Sequence, residues 1–179
     1  RDFASSENPD IAWRARRALA ARGLVDADAI EAWRSADGSG EAARMSVEAL
    51  ASLPLEDARS RAWESVYSES LSNDFLTATL AGLNASSWEG DSGLDSAVDR
   101  LRPYWEAHTI GMALRYANGV LAYGLDIDRE GSVERSVGLL RGWLDAHGDA
   151  PAQLRRIVLE HLDAFERDER VQRRWKQDQ

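Results

Sequence analysis

The run Ala62-Trp63-Glu64-Ser65-Val66-Tyr67-Ser68-Glu69-Ser70-Leu71-Ser72-Asn73-Asp74 sets four serine hydroxyls among carboxylates and is the first place to look for a nucleophile. A serine nucleophile needs a base to accept its proton, yet no histidine lies near the run in sequence and no strand leads into it. The same residues make a helix junction. Ser68 and Ser70 are weak helix formers that end one helix, and Ser72 caps the next with Asp74 in its first turn.

Metal chemistry fares no better. A zinc hydrolase built on His-Glu-x-x-His places two ligands at i and i+4 on one helix face, and the three histidines, His108, His147 and His161, occur in no such spacing. His161 falls in an apolar stripe, His147 sits at a helix end, and His108 closes the Tyr104-Trp105 turn. The segment Asp126-Ile127-Asp128-Arg129-Glu130-Gly131 imitates the first half of a calcium loop, with oxygens at positions one, three and five and glycine at six. Its twelfth position is Val137 rather than glutamate, so it reads as an acidic turn leading to Ser132 as N-cap, with Glu134 in the first turn. Gly38-Ser39-Gly40 lacks the lysine of a phosphate loop, and no Gly-x-Ser-x-Gly elbow is present. No catalytic, cofactor-binding or metal residue is therefore assigned in this chain.

The elements around these segments are helical. Leu154, Ile157, Val158, His161, Leu162 and Phe165 form one apolar stripe, while Arg155, Arg156, Glu160 and Asp163 face away. Similar stripes run through Leu94, Val98, Leu101 and Trp105, through Ile110, Ala113, Ala117, Val120 and Leu121, and through Val133, Val137, Leu140 and Leu144. Asn8-Pro9 starts a helix and Gly23 stops one. Asp37 to Gly40 is a connector, and Pro54 ends the segment that Glu41 begins. Ser92-Gly93-Leu94-Asp95 has the spacing of a capping box, and Gly148 after His147 is placed to cap a C-terminus. About nine helices result, starting near residues 9, 26, 41, 56, 73, 93, 109, 132 and 151. Their spacing gives helix pairs of roughly 34 to 47 residues, the length of an αα-hairpin repeat. The expected fold is all-α, a HEAT-like superhelical array in one domain over residues 1–179.

The 179 residues suffice for a sizeable core, since such a chain buries roughly 70% of its extended surface. Net charge is -9, from 31 acids against 22 bases, which argues against nucleic-acid binding by the domain as a whole. The basic segments, Arg14 to Arg17 and Arg173-Arg174, lie in helices that also need a wet face. No cysteine is present, so disulfides and thiolate sites are excluded, and a reducing, cytoplasmic setting is expected. No apolar run reaches the roughly 20 residues of a membrane span, and no signal peptide is visible. Seven tryptophans, at 13, 33, 63, 88, 105, 143 and 175, read as fillers between helices. Trp88, in the Ser87-Trp88-Glu89-Gly90-Asp91 loop, is the expected exposed one and the candidate contact with another domain or partner.

The order of residues adds a resemblance. Ala62-Trp63, a short helix, Leu71-Ser72-Asn73 and the apolar helix from Phe75 to Leu83 together resemble the C-terminal helical domain of M1-family zinc aminopeptidases of the actinobacterial aminopeptidase N type. Asp149-Ala150-Pro151-Ala152-Gln153-Leu154-Arg155-Arg156-Ile157-Val158-Leu159-Glu160 is similar to their last long helix, expected here to end near Arg170. The segment from Asp26 to Ala51 is similar as well, and the resemblance spans about Asn8 to Arg173 through diffuse packing and capping patterns.

The resemblance implies a non-catalytic domain whose HEAT-like superhelix closes over a catalytic domain of the same polypeptide and shapes a chamber for peptide substrates. In that family zinc sits in the catalytic domain, held by His-Glu-x-x-His and a distal glutamate, and activates water with the motif's glutamate as general base. A Gly-x-Met-Glu-Asn motif there binds the free amine. Neither motif occurs here, since Gly111-Met112 continues to Ala113-Leu114, so the chain alone is expected to be inactive and to hold no zinc. A start on Arg1 rather than methionine would then mark a piece of a larger enzyme. The rival reading is a free-standing HEAT-like scaffold that binds a partner in its groove. An all-helical enzyme with scattered site residues has the least support.

Overall fold

The computed structural model describes residues 2–6, 8–68, 70–86, 93–122 and 132–177. Among the described residues there are ten α-helices and no strand. The fold is all-α, as the apolar periodicity requires. The chain divides into two compact units, Arg1–Ser92 and Gly93–Gln179.

The first unit opens with a 3-10 turn, Asp2–Ser5, followed by α1 (Pro9–Ala21), α2 (Ala27–Ala36), α3 (Gly40–Ala51), α4 (Glu56–Val66) and α5 (Asn73–Ala85). Local chemistry sets the starts. Asn8 Oδ1 accepts from the Asp10 amide at 3.0 Å, Asp26 Oδ1 from Ala29 at 2.9 Å, Ser39 Oγ from Ala42 at 3.1 Å and Ser72 Oγ from Phe75 at 3.3 Å, each satisfying an N-terminal donor that the helix leaves unpaired. Gly23 stops α1 at φ 64°, with its amide bonded to Ala20 O at 2.8 Å and the Leu24 amide to Leu19 O at 2.9 Å. That pair of bonds is a Schellman motif, which needs a left-handed residue at this position.

Helix α3 packs against each of α1, α2, α4 and α5. The core it organises is Trp13, Ala20, Ile30, Ala42, Ala49, Leu53 and Ala58, and its many alanines let helix backbones approach closely. Gly82 of α5 carries this furthest: a β-carbon there would collide with the main-chain carbonyl of Glu48 in α3 and lie 2.7 Å from Ala51 Cβ.

The second unit holds α6 (Leu94–Asp99), α7 (Leu101–Ala107), α8 (Ile110–Ala122), α9 (Ser132–Ala146) and α10 (Ala152–Gln177). The segment expected as one helix from residue 93 is two, which raises the count to ten. Pro103 has no amide to donate to the carbonyl of Asp99, four residues back, and its ring crowds that oxygen, so α6 ends there and α7 restarts after Arg100. The restart moves the stripe: Tyr104 is buried where Trp105 was expected, and Trp105 is half-buried. Ile110, at the first position of α8, is exposed rather than buried, while Tyr116 joins Ala113, Ala117, Val120 and Leu121 inside. The stripes of α9 and α10 are buried as read, with His161 half-buried among them.

Capping in this unit departs from expectation. Gly93 at φ 72° precedes α6 with no side-chain cap hydrogen bond, and Ser92 of the expected capping box lies outside the described residues. Gly148 is not left-handed. The end of α9 is instead satisfied by Arg155, expected to face away, whose Nη1 donates to Leu144 O at 2.9 Å and His147 O at 2.6 Å. A cation on the last carbonyls also meets the negative end of the helix dipole. Arg141 bonds Glu166 at 2.7 Å, so rising positions on α9 meet falling positions on α10 and the two helices are antiparallel. No described helix is long and apolar enough to cross a membrane.

Candidate functional site

The serine run is a helix junction. Ser65 Oγ donates to Ala62 O at 2.8 Å, Ser68 and Ser70 hydroxyls bond each other at 3.0 Å, and Ser72 caps α5. Trp63 and Tyr67 are half-buried, with ring centroids 6.1 Å apart. No described histidine hydrogen-bonds to any of these hydroxyls.

The histidines are held apart by similar local devices. His108 donates through Nδ1 to Tyr104 O at 3.0 Å, and its ring stacks on Tyr104 at 3.8 Å, which stacks in turn on Tyr116 at 3.9 Å. The Tyr116 hydroxyl donates to Ala97 O at 2.9 Å, anchoring the stack. His147 repeats the pattern with Nδ1 on Trp143 O at 2.9 Å and its ring 4.6 Å from the indole. In both, the carbonyl accepts only, so Nδ1 carries the proton. His161 lies with Nε2 3.4 Å from Asn118 Oδ1, and burial pushes its imidazole below the ordinary range, partly countered by Glu160. Among the described residues no group of three or more histidine, aspartate or glutamate side chains is arranged to hold a metal ion. Val137, where a calcium loop needs its glutamate, is buried in α9, and residues 126–131 lie outside the described residues, as do Trp88 and the side chain of Trp175.

The described concave feature with converging charge lies between α1 and α3. A depression of about 410 Å³ is lined by Trp13, Arg14, Arg17, Met45 and Glu48. Its floor is Glu48, whose side chain is only 12% exposed and is ion-paired with Arg17. Arg44 Nη1 stands 4.0 Å from the same carboxylate while its Nη2 bonds Glu41 at 2.8 Å. The wall is Trp13, fixed because its Nε1 donates to Asp37 Oδ2 at 2.9 Å. That bond, ahead of those from Ser39, holds the Asp37 carboxyl below the usual carboxylate range.

Arg16 braces the wall from behind. Its guanidinium lies 4.9 Å from the Trp13 ring and 5.2 Å from the Trp33 ring, and its Nε donates to Ala4 O at 3.1 Å, which ties the N-terminal 3-10 turn to α1. Burial pulls Arg16 below its ordinary value, partly offset by Asp37. From the sequence Arg14 to Arg17 reads as a wet helix face, and Glu48 carries no assigned role. The available signal was the acid at 48 between Met45 and Ala49 in an otherwise apolar stripe.

No protein-family model and no curated protein matches the chain. The residues present offer ion pairing and a small apolar wall, and no nucleophile with a base beside it among the described residues.

Proposed function

We propose that the chain is the non-catalytic C-terminal helical region of an M1-family zinc aminopeptidase, closing over the catalytic domain of the same polypeptide and shaping the chamber that admits peptide N-termini. What supports the reading is the order of Ala62-Trp63, Leu71-Ser72-Asn73 and Asp149 to Glu160, which resembles that of the domain's helix junctions. In the present fold these residues are a helix, the cap and start of α5, and the entry to α10, which are positions where packing and capping constrain residue choice. Zinc belongs in this reading to the catalytic domain, because the His-Glu-x-x-His motif that holds it in that family does not occur in this sequence.

The role of this chain is then shape and closure, which govern access to chemistry performed elsewhere. A HEAT-like path of the helices and a cytoplasmic setting belong to the same proposal. The purified chain should fold and release no product from an aminoacyl chromogenic substrate with zinc added. Zinc-dependent turnover by the chain alone would refute the assignment.

A further inference from the structure

We infer that the α1–α3 depression binds a peptide segment in which a carboxylate side chain neighbours an apolar one. The chain carries a net charge of -9, yet α1 holds Arg14, Arg16 and Arg17 against the single acid Asp10. Each arginine has a different fate. Arg16 is committed to Trp13, Trp33 and Ala4, and Arg17 reaches Glu48 through Nη1 alone, which leaves its Nε and Nη2 without a described partner. The Arg14 guanidinium is exposed and has no described hydrogen bond or ion pair, although it lines the depression. Two guanidiniums against one carboxylate leave the lining with one surplus positive charge.

The chemistry of the surplus selects an anion. Guanidinium forks match carboxylates bidentately, and Glu48 already holds Arg17 in place from below, so the fork is ordered before a ligand arrives. The wall selects the neighbour. Met45 is half-buried and adaptable, and the Trp13 ring is immobilised by Asp37. An anion without an apolar part, such as inorganic phosphate, would leave that wall unused. At about 410 Å³ the depression lies near the lower end of small-ligand sites, which suits one or two side chains. None of this rests on the aminopeptidase reading, because it is argued only from the charges and packing of the lining itself.

Titration of the isotope-labelled full chain with the blocked dipeptide acetyl-Leu-Glu-amide, followed by NMR, tests the inference. Saturable shifts should cluster at Arg14, Arg17 and Met45, with affinity about tenfold above that of acetyl-Leu-Gln-amide and of inorganic phosphate. Arg14→Glu should weaken the acidic peptide by about tenfold or more while thermal unfolding stays unchanged, since Arg14 contributes no described contact. Equal binding of the Gln peptide or of phosphate, shifts centred elsewhere, absence of saturable binding, or full affinity in Arg14→Glu would each overturn it.

Discussion

Gly82 on α5 and the main-chain carbonyl of Glu48 on α3 meet so closely that no β-carbon fits between the two helices. A methyl at 82 would clash with the carbonyl oxygen and lie 3.1 Å from its carbon and 2.7 Å from Ala51 Cβ. Backbone atoms cannot swing aside as a flexible side-chain end can, so Gly82→Ala should destabilise the chain by about 3 kcal/mol. Gly142, on α9, has nothing within 4 Å of the same added atom. There the change to alanine should stabilise by about 1 kcal/mol through helix propensity. Urea unfolding of both variants checks the contrast, and a stabilised Gly82→Ala would mean that α3 and α5 do not cross at this point.

Gly23 ends α1 in the left-handed region and faces Pro54, whose Cγ would stand 3.2 Å from a new β-carbon. Gly23→Ala should therefore cost about 1–2 kcal/mol, from the left-handed backbone first and the proline contact second. Gly148→Ala, at an exposed position that is not left-handed, should change stability far less. Thermal unfolding of the pair separates the two cases. Equal losses would deny the Schellman geometry at Gly23.

Arg17 and Glu48 form an ion pair whose two ends differ in exposure, 41% against 12%. Solvent screens the arginine end, so the coupling between them should be about 1 kcal/mol in a double-mutant cycle of Arg17→Ala and Glu48→Gln. Arg17→Ala alone should cost at least as much, because Glu48 then keeps only Arg44 at 4.0 Å. High salt should shrink the coupling. A coupling near zero in low salt would remove the pair from the account of the α1–α3 contact.

His161 should make stability depend on pH. Burial lowers its proton affinity below the ordinary value of 6.5 that the unfolded chain retains. As pH falls through 6.5, the unfolded chain takes up the proton first, so the native state loses stability as the solution is acidified and regains it as pH rises. Denaturant midpoints at about pH 7.5 and 5.5 should therefore differ more for the native chain than for His161→Gln. Equal pH dependence in the two proteins would show that His161 is not the group responsible.

What could be read from the residues alone was whatever the chain decides locally. The stripe from Leu154 to Phe165 identifies the buried face of α10 because each side chain reports its own helix turn. Ser72 and Asn8 reveal their helix starts because a cap acts within three residues. Pro103 was equally visible, yet its effect falls four residues earlier, and missing it merged α6 with α7 and exchanged Trp105 for Tyr104. Arg155 escaped as a cap because the carbonyls it satisfies belong to the preceding helix. The α1–α3 depression is less local still: Arg17 and Glu48 are 31 residues apart, and no apolar period encodes their meeting.

The assignment as the helical region of an M1-family aminopeptidase is tested most directly by sequencing the coding DNA upstream of the codon for Arg1. The expected result is an open frame continuing several hundred residues upstream and encoding His-Glu-x-x-His with a Gly-x-Met-Glu-Asn segment before it. A frame that begins at or near Arg1, or one that runs on without the zinc motif, would contradict the assignment and leave a helical scaffold in its place.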